Sequence, residues 1–121
     1  MKKRVSLFIL SCLVIASCRN QGNTSISFSE SDHYYSMKAL FPESKTRQVE
    51  HYMDKYIGEQ SNMSFANTRI DGQIGLDDHT HFYIKKHAGY LQIKLNKDEN
   101  SEESYERVRE MCQEIKTILS K

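Results

Sequence analysis

Apolar and polar residues alternate in two parts of this chain and recur at helical spacing in two others. Ile26 and Phe28 alternate with serines, and Ser29 to Asp32 supply turn chemistry. Tyr35, Met37, Ala39 and Phe41 then alternate with Ser36, Lys38 and Leu40, which predicts a second strand and hence a hairpin. A helix over residues 33–40 competes, because Met, Lys, Ala and Leu are good helix formers. Pro42 decides for the strand by holding Phe41 extended. Past Pro42 the period changes: Val49, Tyr52, Met53, Tyr56 and Ile57 predict a helix over residues 44–57, with Ser44 as N-cap and Gly58 as the glycine just beyond its end.

The middle third reads as three strands. Thr68, Ile70, Gly72, Ile74 and Leu76 share one parity, and Arg69, Asp71, Gln73 and Asp77 the other. After a turn at Asp77-Asp78-His79, Thr80, Phe82 and Ile84 point one way and His81, Tyr83 and Lys85 the other. A second turn at residues 86–89 leads to Leu91, Ile93 and Leu95, alternating with Tyr90, Gln92 and Lys94. Matching like faces opposes Ile74 to Phe82 and Asp71 to Lys85, then Phe82 to Ile93, Ile84 to Leu91, Tyr83 to Gln92 and Lys85 to Tyr90. Tyr105, Val108, Cys112, Ile115 and Leu119 form the stripe of a last helix, with Asn100 and Glu103 at capping-box spacing. The expected fold is therefore α+β and two-layered: an antiparallel sheet of about five strands with two helices on one face, in the order ββαβββα.

Residues 1–18 follow a different logic. Lys2, Lys3 and Arg4 precede an apolar run, Val5 to Ile15, which is too short to span a bilayer. Ile15-Ala16-Ser17-Cys18 resembles the lipobox of bacterial lipoproteins: an aliphatic residue, two small residues and a cysteine. The resemblance covers residues 1–18 only. It implies that residues 1–17 are a signal peptide and that Cys18 becomes the acylated first residue of the mature chain, anchored in a membrane. Several acyl chains would make that anchoring stable, since a single one holds only reversibly. In such lipoproteins an Asp after the cysteine tends to retain the protein at the inner membrane. Arg19 stands there instead, which implies the outer membrane, with the domain on its periplasmic face. Residues 18–25 then form the lipidated cysteine and a polar tether, and 26–121 a single domain.

Charge and cysteine count narrow the function. Lys2, Lys3 and Arg4 leave with the signal, so 14 of the 17 basic side chains remain against 16 acidic ones. That balance gives no electrostatic case for nucleic acid. With Cys12 removed and Cys18 modified, Cys112 has no disulfide partner, and its place in the helical stripe makes it a small buried hydrophobe. No phosphate loop, nucleophile elbow or HExxH motif is present, no cofactor is indicated, and the expectation is a protein that is not an enzyme.

Two constellations remain. Asp77, His79 and His81 offer carboxylate and imidazole ligands suited to zinc or copper, although spacing fixes no third ligand and HxH on a polar strand face is common. Arg69, Gln73, Tyr83, Lys85, Tyr90, Gln92 and Lys94 share the polar parity of the last three strands, a surface on which tyrosines between long polar side chains suit a protein partner. The leading expectation is a lipid-anchored, non-enzymatic interaction module, an accessory subunit of an envelope or secretion assembly. An inhibitor or immunity lipoprotein that neutralises a toxin, and a metal-binding lipoprotein, are the alternatives.

Overall fold

The computed structural model describes residues 24–121; the expected signal peptide (1–17), Cys18 and residues 19–23 of the expected tether lie outside the described residues. Five strands form one sheet: β1 Ser25–Glu30, β2 Tyr34–Leu40, β3 Ile70–Gly75, β4 His81–His87 and β5 Tyr90–Asn96. Their order is β1-β2-β5-β4-β3, and every neighbouring pair is antiparallel. The long segment between β2 and β3 carries the first helix, α1. It is α-helical over Thr46–Met53, π-helical over Asp54–Gly58 and α-helical again over Glu59–Ser61. The second helix, α2, is Glu102–Leu119. Helix α1 takes the chain across the sheet to its far edge, and the β3-β4-β5 meander returns to lay β5 beside β2. The ββαβββα order and the two-layer α+β arrangement are those the hydrophobic pattern predicts.

One core lies between sheet and helices. Tyr35, Met37 and Ala39 of β2, Phe82 and Ile84 of β4, and Leu91, Ile93 and Leu95 of β5 are buried with Val49, Met53 and Ile57 of α1 and Val108, Met111, Cys112, Ile115 and Leu119 of α2. Strand alternation puts the first set on one face, and the 3.6-residue period puts the second on the facing stripes. The domain starts slightly earlier than residue 26, since Thr24 is buried and Ser25 opens β1. Among the described residues no helix is long and apolar enough to cross a membrane.

Three local expectations are corrected. Ser44 does not cap α1: it lies in a 3-10 turn, Glu43–Lys45, which has no side-chain cap. Nor does Gly58 end it. Gly58 stays helical, and the helix stops at Asn62, which takes the left-handed conformation (φ 59°) that a helix C-terminus favours. The intervening π turn begins at Asp54, whose carboxylate accepts the Phe65 N–H at 2.6 Å and so draws the following loop back onto the helix. Helix α2 is capped by Ser101, whose Oγ accepts the Ser104 N–H at 3.0 Å, and not by Asn100. Asn100 instead clamps β4 to β5: its side chain accepts from His81 N–H and donates to the carbonyls of His81 and Asn96.

A fourth correction is register. Ile74 opposes Phe82 and Asp71 opposes Lys85, as expected. Between β4 and β5, however, Ile84 opposes Ile93 and Lys86 opposes Leu91, two residues from the predicted pairing. The connection is a two-residue turn, Ala88-Gly89, not a four-residue one. Gly89 takes φ +77°, which a type II turn requires at its second central position. A Cβ there would lie 2.9 Å from the Phe41 carbonyl oxygen. Its own carbonyl accepts from Phe41 N–H, and its N–H donates to Thr46 Oγ1 at 2.9 Å. The turn is thereby tied to both the end of β2 and the start of α1. A slip of two residues leaves every side chain on its original face, so alternation could not detect it.

Candidate functional site: the open face of the sheet

Because both helices pack on one face, the other is uncovered, and the register lays it out in rows. Ser29, Ser36, Lys94, Tyr83 and Gln73 form one row from β1 to β3. Ser27, Lys38, Gln92, Lys85 and Asp71 form the next, and Ser25, Leu40, Tyr90 and His87 the one beyond it. Tyr83 therefore faces Lys94, and Tyr90 faces His87, which replaces the predicted Tyr83–Gln92 and Tyr90–Lys85 pairs. Gln73, Tyr83, Lys85, Tyr90, Gln92 and Lys94 all lie on this face. Arg69 sits just outside it, at the corner where β3 begins, among Asn67, Thr68 and His87. Tyr34, Lys38 and Leu40 of β2 join the face although the sequence did not nominate them. Their signal was present as the parity opposite Tyr35, Met37 and Ala39, but the neighbouring of β2 and β5 is a tertiary fact.

The aromatic side chains of this face are held in place. The Tyr83 hydroxyl donates to Asp71 Oδ1 at 2.7 Å, a bond that pushes its pKa up and keeps the phenol neutral. Tyr90 donates to Gln92 Oε1 at 3.2 Å, and its ring stacks on His87 with centroids 4.9 Å apart and planes 11° from parallel. The Lys94 ammonium lies 4.5 Å from the Tyr34 ring centroid, within cation–π range. Tyr34 is 42% and Leu40 49% exposed, the two most exposed large hydrophobic residues described. A shallow hollow of about 540 Å³ opens between Tyr34, Tyr83, Gln73, Gln92 and Lys94. Lys38, Lys85 and Lys94 form no side-chain ion pair among the described residues, while Asp71 is the one carboxylate in these rows. The face is thus locally basic on a chain of nearly balanced charge.

The remaining expected site residues are not gathered together. His79 lies in the β3–β4 turn with φ 74°, and its carbonyl is 3.2 Å from His81 Nδ1, while the other ring nitrogen of His81 is 3.7 Å from Glu99. Asp77 is held through its backbone N–H, which donates to the Gln60 carbonyl. Its neighbour Asp78 receives the Thr80 N–H and the Arg107 guanidinium, which overcome the opposing effect of burial and hold its carboxyl below the usual range. Among the described residues no three His, Cys, Asp or Glu side chains converge as a ligand set. Cys112 is fully buried, and burial pushes its thiol up to about 12, so it is protonated and packs as an apolar side chain.

The covered face holds two polar ties that periodicity did not announce. Lys86, 2% exposed, has the core-facing parity of Phe82 and Ile84, and its ammonium donates to Glu50 Oε2 at 2.6 Å and to the Thr68 carbonyl. Glu50 Oε1 accepts the Asn67 N–H at 3.1 Å, where Asn67 takes φ 54°. At the other end of the same strand Thr80 Oγ1 lies 2.6 Å from Ser104 Oγ. Compared with models of known families, with curated proteins and with solved structures, the chain matches none of them.

Proposed function

We propose that this protein is a lipid-anchored, non-enzymatic interaction module of a bacterial envelope, tethered through Cys18 and docking a protein partner on the open face of its sheet. The observation that carries the reading is that one face of the sheet is uncovered, and this face presents pre-ordered tyrosines between lysines that make no ion pair among the described residues. Aromatic anchors whose rotamers are already held cost little entropy on binding. The three lysines against one aspartate favour a partner whose contact surface is acidic, and such complementarity acts mainly on association rate and selectivity. Retention at the periplasmic face of the outer membrane, in an envelope or secretion assembly, follows from the lipobox resemblance and Arg19.

The test has two parts. Intact-mass analysis of native protein is expected to find a chain that begins at an acylated Cys18; an unmodified sulfur on a chain that begins at Met1 removes the anchor. Affinity capture from detergent-solubilised native membranes is expected to retain one stoichiometric envelope protein and to lose it with Tyr83→Ala or Tyr90→Ala. Retention unaffected by both substitutions would move the contact elsewhere on the domain. A toxin as the partner would turn the reading to an inhibitor.

A further inference from the structure

A second hollow, of about 470 Å³, lies at the corner of the domain between the start of α1, the segment before β3 and the β4–β5 turn. Arg47 of α1 and Arg69 of the segment before β3 both line it, as does His87. Neither guanidinium has a carboxylate partner among the described residues, and residues 1–23 contain no Asp or Glu. Two acids also line the hollow. Glu50 is spent: one of its oxygens takes the Lys86 ammonium and the other the Asn67 N–H. Glu43 is exposed on the rim and engages neither arginine. The Thr46 hydroxyl accepts from Gly89 N–H, which leaves its own proton to donate. His87 is held against Tyr90, so the His87 wall is also in place.

We propose that this hollow binds a phosphate-bearing anion between Arg47 and Arg69, with Thr46 as a neutral donor. Guanidinium forks match phosphate oxygens two at a time, which makes arginine the suited cation for this group. The buried Lys86–Glu50 pair cancels the one charge at the floor that would oppose an anion. The place of the hollow adds a source. Ser25 pairs with Leu40, Leu40 with Tyr90 and Tyr90 with His87, so Thr24 enters the domain at the end of the sheet that carries the hollow. Only residues 19–23 separate Thr24 from Cys18, a reach of about 20 Å when extended. With Cys18 lipidated, that end is the one nearest the headgroups; this clause rests on the proposed anchor, whereas the anion site does not.

The experiment titrates inorganic phosphate calorimetrically into the full chain in a neutral detergent. It also follows amide hydrogen exchange of residues 43–47 and 67–69 in phosphatidylcholine vesicles with and without phosphatidylglycerol. Saturable phosphate binding, weakened about tenfold or more by Arg47→Gln and by Arg69→Gln but not by Lys85→Gln, is expected. Slower exchange in the phosphatidylglycerol vesicles, lost in the same two variants, identifies a lipid headgroup as the source. Phosphate binding without that slowing identifies a soluble phosphate compound. Neither response, or responses that depend on one arginine or on none, overturns the site. Thermal denaturation of both variants checks that these exposed substitutions leave the fold intact.

Discussion

The two ends of strand β4 tie it to the two helices in opposite ways. At its start the neutral hydroxyl of Thr80 meets Ser104 in the first turn of α2; at its end the charged Lys86 meets Glu50 of α1. Both residues point toward the core, and both meet partners that are almost wholly buried. The hydroxyl pair asks little of its surroundings, because Ser104 Oγ also receives the Ser101 hydroxyl and no charge is desolvated. The ion pair removes two charges from water and needs each remaining donor and acceptor filled, which is why the Thr68 carbonyl and the Asn67 N–H converge on it. The charged tie therefore also pins the backbone of Asn67 and Thr68 ahead of β3, and the neutral one holds only a helix start.

This contrast sets the order of expected effects. Lys86→Met leaves Glu50 buried with a single N–H partner, and should cost about 3–5 kcal/mol in denaturant unfolding. Lys86→Met combined with Glu50→Leu should recover most of the loss; a double variant no better than the single one would show that packing, not the stranded charge, sets the cost. Thr80→Val at the neutral end should cost only about 1–2 kcal/mol by the same measurement. If the two ends prove equally sensitive, the contrast between charged and neutral ties fails.

Acid should act on the sheet edge. Burial raises the Glu30 carboxyl, yet hydrogen bonds from Lys97 and Tyr105 outweigh it and hold the group below its ordinary 4.5. A carboxylate lowered by folding contributes stability that is complete above its unfolded pKa and drains as pH falls through the folded one. Unfolding followed between pH 6 and 2 should thus show stability falling below about pH 4.5, with Asp78 adding to the slope at lower pH, and Glu30→Gln should flatten the upper part of that fall. Smallest of all, Tyr83→Ala on the open face should cost no more than about 1 kcal/mol, the scale of strand propensity and a cross-strand pair, although it is expected to abolish partner capture.

Much of this was legible because each element carried its own signal. Alternation in residues 35–41 and 70–95 assigned the strands and the face of each, and Pro42 separated the second strand from a helical alternative. Half of the meander register could be read as well, since Asp71 and Ile74 pair as their faces require. The other half could not: pairings two residues apart satisfy the same alternation, and only the contacts of Gly89 with Phe41 and Thr46 choose between them. Asn100 was misread for a related reason. Its spacing to Glu103 suits a local cap, but its side chain is used across the sheet. The open face was read through Tyr83 and Tyr90 yet incompletely, because Tyr34, Lys38 and Leu40 join it only once β2 lies beside β5.

By itself the sequence determined which residues are strand and helix, which side of each is apolar, and that one face of the sheet stays open, since these depend on periods of two and 3.6 residues along the chain. Strand order, the two-residue turn, the buried Lys86–Glu50 pair and the placing of Arg47 and Arg69 around one hollow were decided only in the folded protein. Those features join residues far apart in the chain, and no local period records which distant groups will share a desolvated space.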